Sequence, residues 1–297
     1  MVRPESSSPS GQHLWADPVL KRILSTIALW SVIAATIHFL RRDGVVVLVA
    51  LFAAATQWEL YTLLQRVGQN PFRTLGVTLG VLLIILPYFT REYGGIVGKE
   101  GMESGMIAVT IVACCLRVMR ERAGSHRLET LIATVFGIVY VPFMLFFLVR
   151  IFWLGETEVG GLMLGVWLLF ASKFCDVGAL LVGSLIGRHK IAPSMSPGKT
   201  WEGAIGGVII ASGMCVGLVA AFPQHFPVAF TPLISGIVAV APAIVSIVSD
   251  LIESVLKRMA KVKDSGWTIP GIGGAFDLVD SVILAAPVAY LILRLLI

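Results

Sequence analysis

The stretch AFTPLISGIVAVAPAIVSIVSDLIESVLKR, residues 229–258, decides how the chain folds. It carries no charge before Asp250. An α-helix rises about 1.5 Å per residue, so about 20 apolar residues cross a hydrocarbon layer of roughly 30 Å. An open sheet is excluded, because each unpaired backbone group costs several kcal/mol in lipid. The stretch is a spanning helix. Asp250, Glu253 and Lys257 then fall at i, i+3 and i+7, one stripe of that helix as it leaves the apolar layer.

Working outward, eight further apolar runs lie at 23–40, 45–64, 75–90, 102–117, 129–153, 160–186, 204–222 and 281–296. The whole chain of 297 residues is 57% hydrophobic and 14% charged, with a mean hydropathy of +0.88. Soluble domains carry roughly a quarter charged residues. The same figures exclude a disordered chain, a collagen-like repeat and a small disulfide scaffold. The expected fold is all-α: a polytopic transmembrane bundle of about nine spanning helices. The Gly-rich runs 102–117 and 204–222 carry the weakest signal.

Lys and Arg in the connections set the orientation. Taking the amino-terminal segment and every second loop gathers sixteen of them, against six on the other side. The richer side is expected to be cytoplasmic, with the amino terminus inside, and nine crossings keep the alternation. The division expected is a polar segment at 1–22, amino-terminal helices over 23–158, and a catalytic region over 159–297. That region holds two cytoplasmic loops, 187–203 and 257–280. No cleavable leader is visible, and the run at 23–40 reads as a retained anchor. The net charge of +5 is loop topology, with no arginine-rich domain to grip a nucleic acid. Cys114, Cys115, Cys175 and Cys215 lie in apolar runs without CxxC spacing and are expected to be buried, reduced thiols.

The loop at 187–203 completes a first polar cluster. Lys173 and Asp176, at i and i+3 of an apolar helix, share a face and can pair. A charge at the bilayer centre costs about 2.5–3.5 kcal/mol even on a lenient scale, so the pair is either a structural ion pair or the edge of a polar cavity. Ser196-Pro197-Gly198-Lys199-Thr200 is not a Walker loop, because Pro193 stands where the first glycine belongs. What remains is a Gly-Lys-Thr turn entering a helix, suited to a phosphate or simply to capping.

The second cluster follows the opening stretch: Asp250, Glu253, Lys257, Arg258, Lys263, Asp264, Gly266, Gly273, Gly274, Asp277 and Asp280. Asp277 and Asp280 share a face at the entry of the last helix, where acidic residues also serve as first-turn caps. Carboxylates without His or Cys partners suit hard divalent cations, chiefly magnesium, which completes its shell with water and substrate phosphates. Lys and Arg alongside would hold the remaining phosphate charge. The set reads as phosphoryl or nucleotidyl transfer at a membrane surface. Its five histidines, His13, His38, His126, His189 and His225, form no cluster, and His189 reads as a solvated loop residue.

The stretch from Ser254 to Ser281, containing Lys257-Arg258, Lys263-Asp264-Ser-Gly266, Pro270-Gly271-Ile-Gly273-Gly274 and Asp277-Leu-Val-Asp280-Ser281, resembles the signature of phosphatidate cytidylyltransferases, also called CDP-diacylglycerol synthases. Asp176-Val-Gly178-Ala and Ser196-Pro-Gly-Lys-Thr-Trp-Glu-Gly203 are similar to that family's other long block. The resemblance covers roughly residues 172–285. It departs at Ile272, where the family has His, and at Leu278, where it has Arg.

The resemblance implies a dimeric, multi-pass inner-membrane enzyme facing the cytoplasm. It would join CTP to phosphatidic acid with magnesium and a possible second cation, giving CDP-diacylglycerol and pyrophosphate. Carried over by position, the catalytic residues are Asp250, Lys263, Asp264, Asp277 and Asp280, with Asp250, Asp277 and Asp280 holding metal. Substrate contacts fall to Asp176, Ser196, Lys199, Thr200, Glu202, Lys257, Arg258, Gly273 and Gly274. Two other readings compete. A CTP-dependent polyprenol or phytol kinase would release CDP. A secondary transporter would use Glu59, Lys173, Asp176 and Glu253 as coupling residues, though no internal repeat supports it.

Overall fold

Apolar runs of this length can satisfy their backbone in lipid only as helices. The computed structural model describes residues 18–94, 102–120, 126–262, 264–266, 268 and 273–297. Its helices are α1 (Pro18–Arg66), α2 (Arg73–Tyr93), α3 (Met102–Met119), α4 (Arg127–Ile138), α5 (Met144–Ile151), α6 (Glu158–Ile186), α7 (Trp201–Ala221), α8 (Pro232–Met259) and α9 (Ala275–Leu296). A π-helical turn at Val139–Phe143 joins α4 to α5 around Pro142, which has no N–H to give an α-helical ladder. The two therefore form one span, Arg127–Ile151.

Among the described residues eight helices are long and apolar enough to cross a membrane, Phe39–Arg66 the first of them. The runs at 23–40 and 45–64, expected as separate helices, lie in α1 on either side of a break at Arg41, whose φ of 52° is left-handed. The Gly-rich runs at 102–117 and 204–222 are both helical, in α3 and α7. One departure from the all-α expectation is small: the 187–203 connection folds as an antiparallel hairpin of β1 (Lys190–Ala192) and β2 (Ser196–Thr200).

Two close helix contacts carry the site. Where α7 crosses α6, a Cβ on Gly207 would lie 2.5 Å from the Cys175 carbonyl oxygen, and one on Gly203 would lie 2.7 Å from that of Ala179. Small residues let the backbones meet where lipid offers no hydrophobic drive. The second contact is aromatic. Phe276, fully buried at the start of α9, meets the Tyr140 ring edge-on at 6.3 Å.

The ends of the bundle differ. At one end Arg42 faces Glu92 at 3.6 Å, its amide donates to Glu158, and Asp43 accepts from Tyr88 and Tyr93. The hairpin connection 187–200 and the described residues 264–266 and 273–274 lie at the other, beside the ends of α8 and α9. All four cysteines are free, and three are buried as expected. Cys115 is the exception and is exposed, because its neighbour Cys114 takes the inward face of α3.

Candidate active site

The site forms where α6, β2, α8 and α9 meet. Asp250 and Glu253 lie one turn apart on α8, and Asp280 lies in the second turn of α9. Carboxylate oxygens of these three residues all lie within 4.8 Å of one another. Glu253 is 1% exposed. Asp280 accepts from the Ser281 amide at 2.6 Å, and its own carbonyl accepts from the Ser249 hydroxyl, which ties α9 to α8.

Three lysines bracket these acids. Lys173 on α6 reaches Asp280 at 3.5 Å and Asp176 at 3.7 Å and donates to the Ser281 hydroxyl at 2.7 Å. Lys199 on β2 meets Asp250 at 2.5 Å. Lys257 on α8 sits 2.6 Å from Glu253, off the hydrogen-bonding direction, and donates to Asp277 at 2.9 Å. Among the described residues, the five carboxylates and three lysines paired here carry a formal charge of −2 with every group ionised. Oxygens this close repel by about 3 kcal/mol per pair at an effective dielectric near 20, so a dication would find compensation ready.

Asp277 is drawn elsewhere. Sequence grouped it with Asp250 and Asp280, but the three acids that converge are Asp250, Glu253 and Asp280. Besides Lys257, Asp277 accepts from the Gly274 amide at 2.8 Å and from the Ser265 amide and hydroxyl at 3.2 and 2.9 Å. It stands in the first turn of α9, where free N–H groups capture a carboxylate.

The remaining residues divide by what they touch. Thr200 caps α7, its hydroxyl accepting from the Gly203 amide. Glu202 accepts from the Arg188 and His189 amides and meets the His189 ring, so it braces the base of the hairpin. Ser196 opens β2 beside Met195, whose carbonyl accepts from Arg258. Gly273 has φ +128°, a conformation few other residues adopt, and Gly274 caps α9. Asp264 is exposed. Lys263 and Ile272 lie outside the described residues, whereas Leu278 is half-buried on α9.

Several participants carried no role from the motif. Glu253 and Lys173 had the right spacing, one in the α8 stripe and one beside Asp176. Glu59 is a carboxylate alone in an apolar run, and such a residue needs a partner. Its partners are Ser265, Thr268, Ala275 and Phe276, more than 200 residues away, and no local pattern could name them.

A family model described as the cytidylyltransferase family matches residues 20–296. A phosphatidate cytidylyltransferase of Mycobacterium bovis is 28% identical over 287 residues, 92% of this chain and 88% of the relative. One from Staphylococcus saprophyticus is 31% identical over 215 residues, 72% of this chain and 76% of its own. One from Haemophilus influenzae is 41% identical over 133 residues, 43% of this chain and 44% of its own.

Proposed function

The chain belongs to the cytidylyltransferase family, and from that premise we propose that it condenses CTP with phosphatidic acid to give CDP-diacylglycerol and pyrophosphate. The observation that carries this reading is the meeting of Asp250, Glu253 and Asp280 with Lys173, Lys199 and Lys257 at one end of a multi-pass membrane bundle. An acidic centre rimmed by cations suits a metal–polyphosphate substrate. The apolar helices beside it keep the acyl chains of a lipid substrate in the bilayer.

Magnesium fits the donor set, which is carboxylate oxygen without His or Cys. Asp250, Glu253 and Asp280 would hold it, and the excess of acid over base at the site leaves room for a second cation. When bound, magnesium would neutralise charge on the nucleotide phosphates. The chain's own residues do the rest. Lys199, at the mouth of the site, binds the polyphosphate. Lys257 is kept extended by Glu253 and Asp277 and orients it. Lys173 supplies a cation beside Asp280 on the helix where Leu278 replaces the family's Arg.

A phosphate oxygen of phosphatidic acid forms the new bond to the α-phosphorus of CTP. The bond from that phosphorus to the bridging oxygen breaks, and its electrons leave with pyrophosphate. The nucleophile is already an anion, so no general base is needed. In the bacterial membrane the site end is taken to face the cytoplasm, in keeping with its basic loops, and the enzyme to act as a homodimer.

The test is pyrophosphate release from CTP with and without phosphatidic acid in detergent micelles, with CMP followed into lipid. Release that requires phosphatidic acid, with CMP label in the lipid, is expected. Release of CDP with phosphate on the lipid would establish a lipid kinase instead.

A further inference from the structure

Glu59 is a carboxylate 6% exposed within an apolar stretch of α1. Its Oε1 accepts from the Ala275 amide at 3.0 Å and from the Thr268 hydroxyl. Its Oε2 accepts from the Phe276 amide at 2.9 Å and the Ser265 hydroxyl at 3.0 Å. Ala275 and Phe276 are the first two residues of α9, whose amides have no acceptor within their own helix. One side chain from the amino-terminal half thus holds the start of the helix that carries Asp277 and Asp280.

The fit is close. A Cβ on Gly274 would lie 2.2 Å from Glu59 Oε2 and 2.1 Å from Ser265 Oγ. A Cβ on Gly266 would lie 2.4 Å from Glu59 Oε1. Both glycines therefore admit the carboxylate, which gives Gly274 a duty apart from substrate contact. Ser265 links the clamp to the site, because its hydroxyl is also 2.9 Å from Asp277 Oδ2. It has one proton to give and two carboxylates to receive it.

We propose that Glu59 is a positioning residue for nucleotidyl transfer. It fixes the rotation of α9 and the connection before it, so that Asp280 faces Asp250 and Glu253 while Asp277 stays with Lys257. The inference rests on the cytidylyltransferase reading.

Glu59→Gln is the discriminating variant. Its carbonyl can replace one oxygen, and its NH2 can donate to a rotated hydroxyl but not to an amide. One of the two α9 amides therefore loses its acceptor. Two measurements are made on the full chain in detergent micelles. Amide hydrogen exchange at Ala275 and Phe276 is expected to quicken about tenfold at one of them. The kcat for CTP-dependent pyrophosphate release, per folded molecule, is expected to fall about 10–100-fold with KM for phosphatidic acid little changed.

A merely structural role would lower the yield of folded protein and leave kcat per folded molecule alone, which would overturn the proposal. Unchanged exchange at both amides would overturn it as well. Should Glu59→Gln not fold, Thr268→Val removes one hydroxyl and leaves both amides paired. A fall in kcat of about threefold is expected there, and an unchanged kcat would sink the idea. Wild-type protein that releases no pyrophosphate would remove the parent reading itself, an outcome distinct from loss in the variants alone.

Discussion

Replacing Asp280 and Asp277 separately by Asn distinguishes the acid of the three-carboxylate cluster, proposed to hold magnesium, from the one that belongs to the helix cap. In Asp280→Asn the amide oxygen still accepts from the Ser281 amide, now 2.6 Å from Oδ1, so this local bond is kept and the start of α9, held by Asp277 and Glu59, is untouched. What disappears is one charge from a trio whose oxygens lie within 4.8 Å, and the five-acid, three-lysine group falls from −2 to −1. The half-activating magnesium concentration should rise at least about tenfold, or roughly 1.4 kcal/mol. Asp277→Asn can keep its oxygen at the Oδ2 position, where the Gly274 and Ser265 groups donate, but then turns an NH2 toward Lys257, 2.9 Å from Oδ1, and loses that contact. Its kcat should fall about tenfold or more, with the magnesium midpoint shifted less than in Asp280→Asn. The assay is pyrophosphate release from CTP and phosphatidic acid, titrated with magnesium for each variant. A midpoint shift in Asp277→Asn as large as that in Asp280→Asn would refute the assignment of Asp277 to the cap.

Lys199→Gln removes the cation that meets Asp250 at 2.5 Å, and the KM for CTP in the same assay should rise about tenfold. Gly207→Ala puts a Cβ 2.5 Å from the Cys175 carbonyl oxygen, so α6 and α7 must part; thermal unfolding in detergent should report a loss of about 1–3 kcal/mol. Ser194→Cys at the exposed tip of the hairpin should react with an impermeant maleimide in inverted membrane vesicles and not in intact spheroplasts. Labelling in intact spheroplasts would reverse the orientation.

The spans were legible because lipid leaves the backbone few choices, and runs such as 160–186 and 204–222 became α6 and α7. The join within α1 was not, since residues 41–44 carry the charge and glycine of a loop but form a helix broken only at Arg41. In the site, spacing put Asp250 and Lys257 on one stripe of α8 and Asp280 near the entry of α9, and the family resemblance supplied the roles expected of them. Neither decided among Asp277, Asp280 and Glu253. Asp277 and Asp280 share a helical face in sequence, yet the first turn of α9 offers free amides only to the earlier one. Glu59 was visible as an isolated acid, but its partners were set by how α1 packs against α9.

The three lysines suggest why so few charges suffice. Lys173 joins α6 to α9, Lys199 joins β2 to α8, and Lys257 joins α8 to α9, each through carboxylates. Without substrate they offset the repulsion among acids brought together in a low-dielectric setting. A polyphosphate arriving with a dication offers each group a new partner of the right sign: the dication for the acids and phosphate oxygens for the lysines. The same contacts can therefore hold the empty site together and be exchanged for substrate contacts. The side with most to exchange is the rim, where the Lys199–Asp250 and Lys173–Asp176 pairs are more exposed than Lys257 and Glu253. Substrate binding should accordingly exchange the Lys199–Asp250 and Lys173–Asp176 pairs first and leave Lys257 braced by Asp277. Increasing salt should then weaken CTP binding through Lys199 more than it disturbs the buried arrangement behind it.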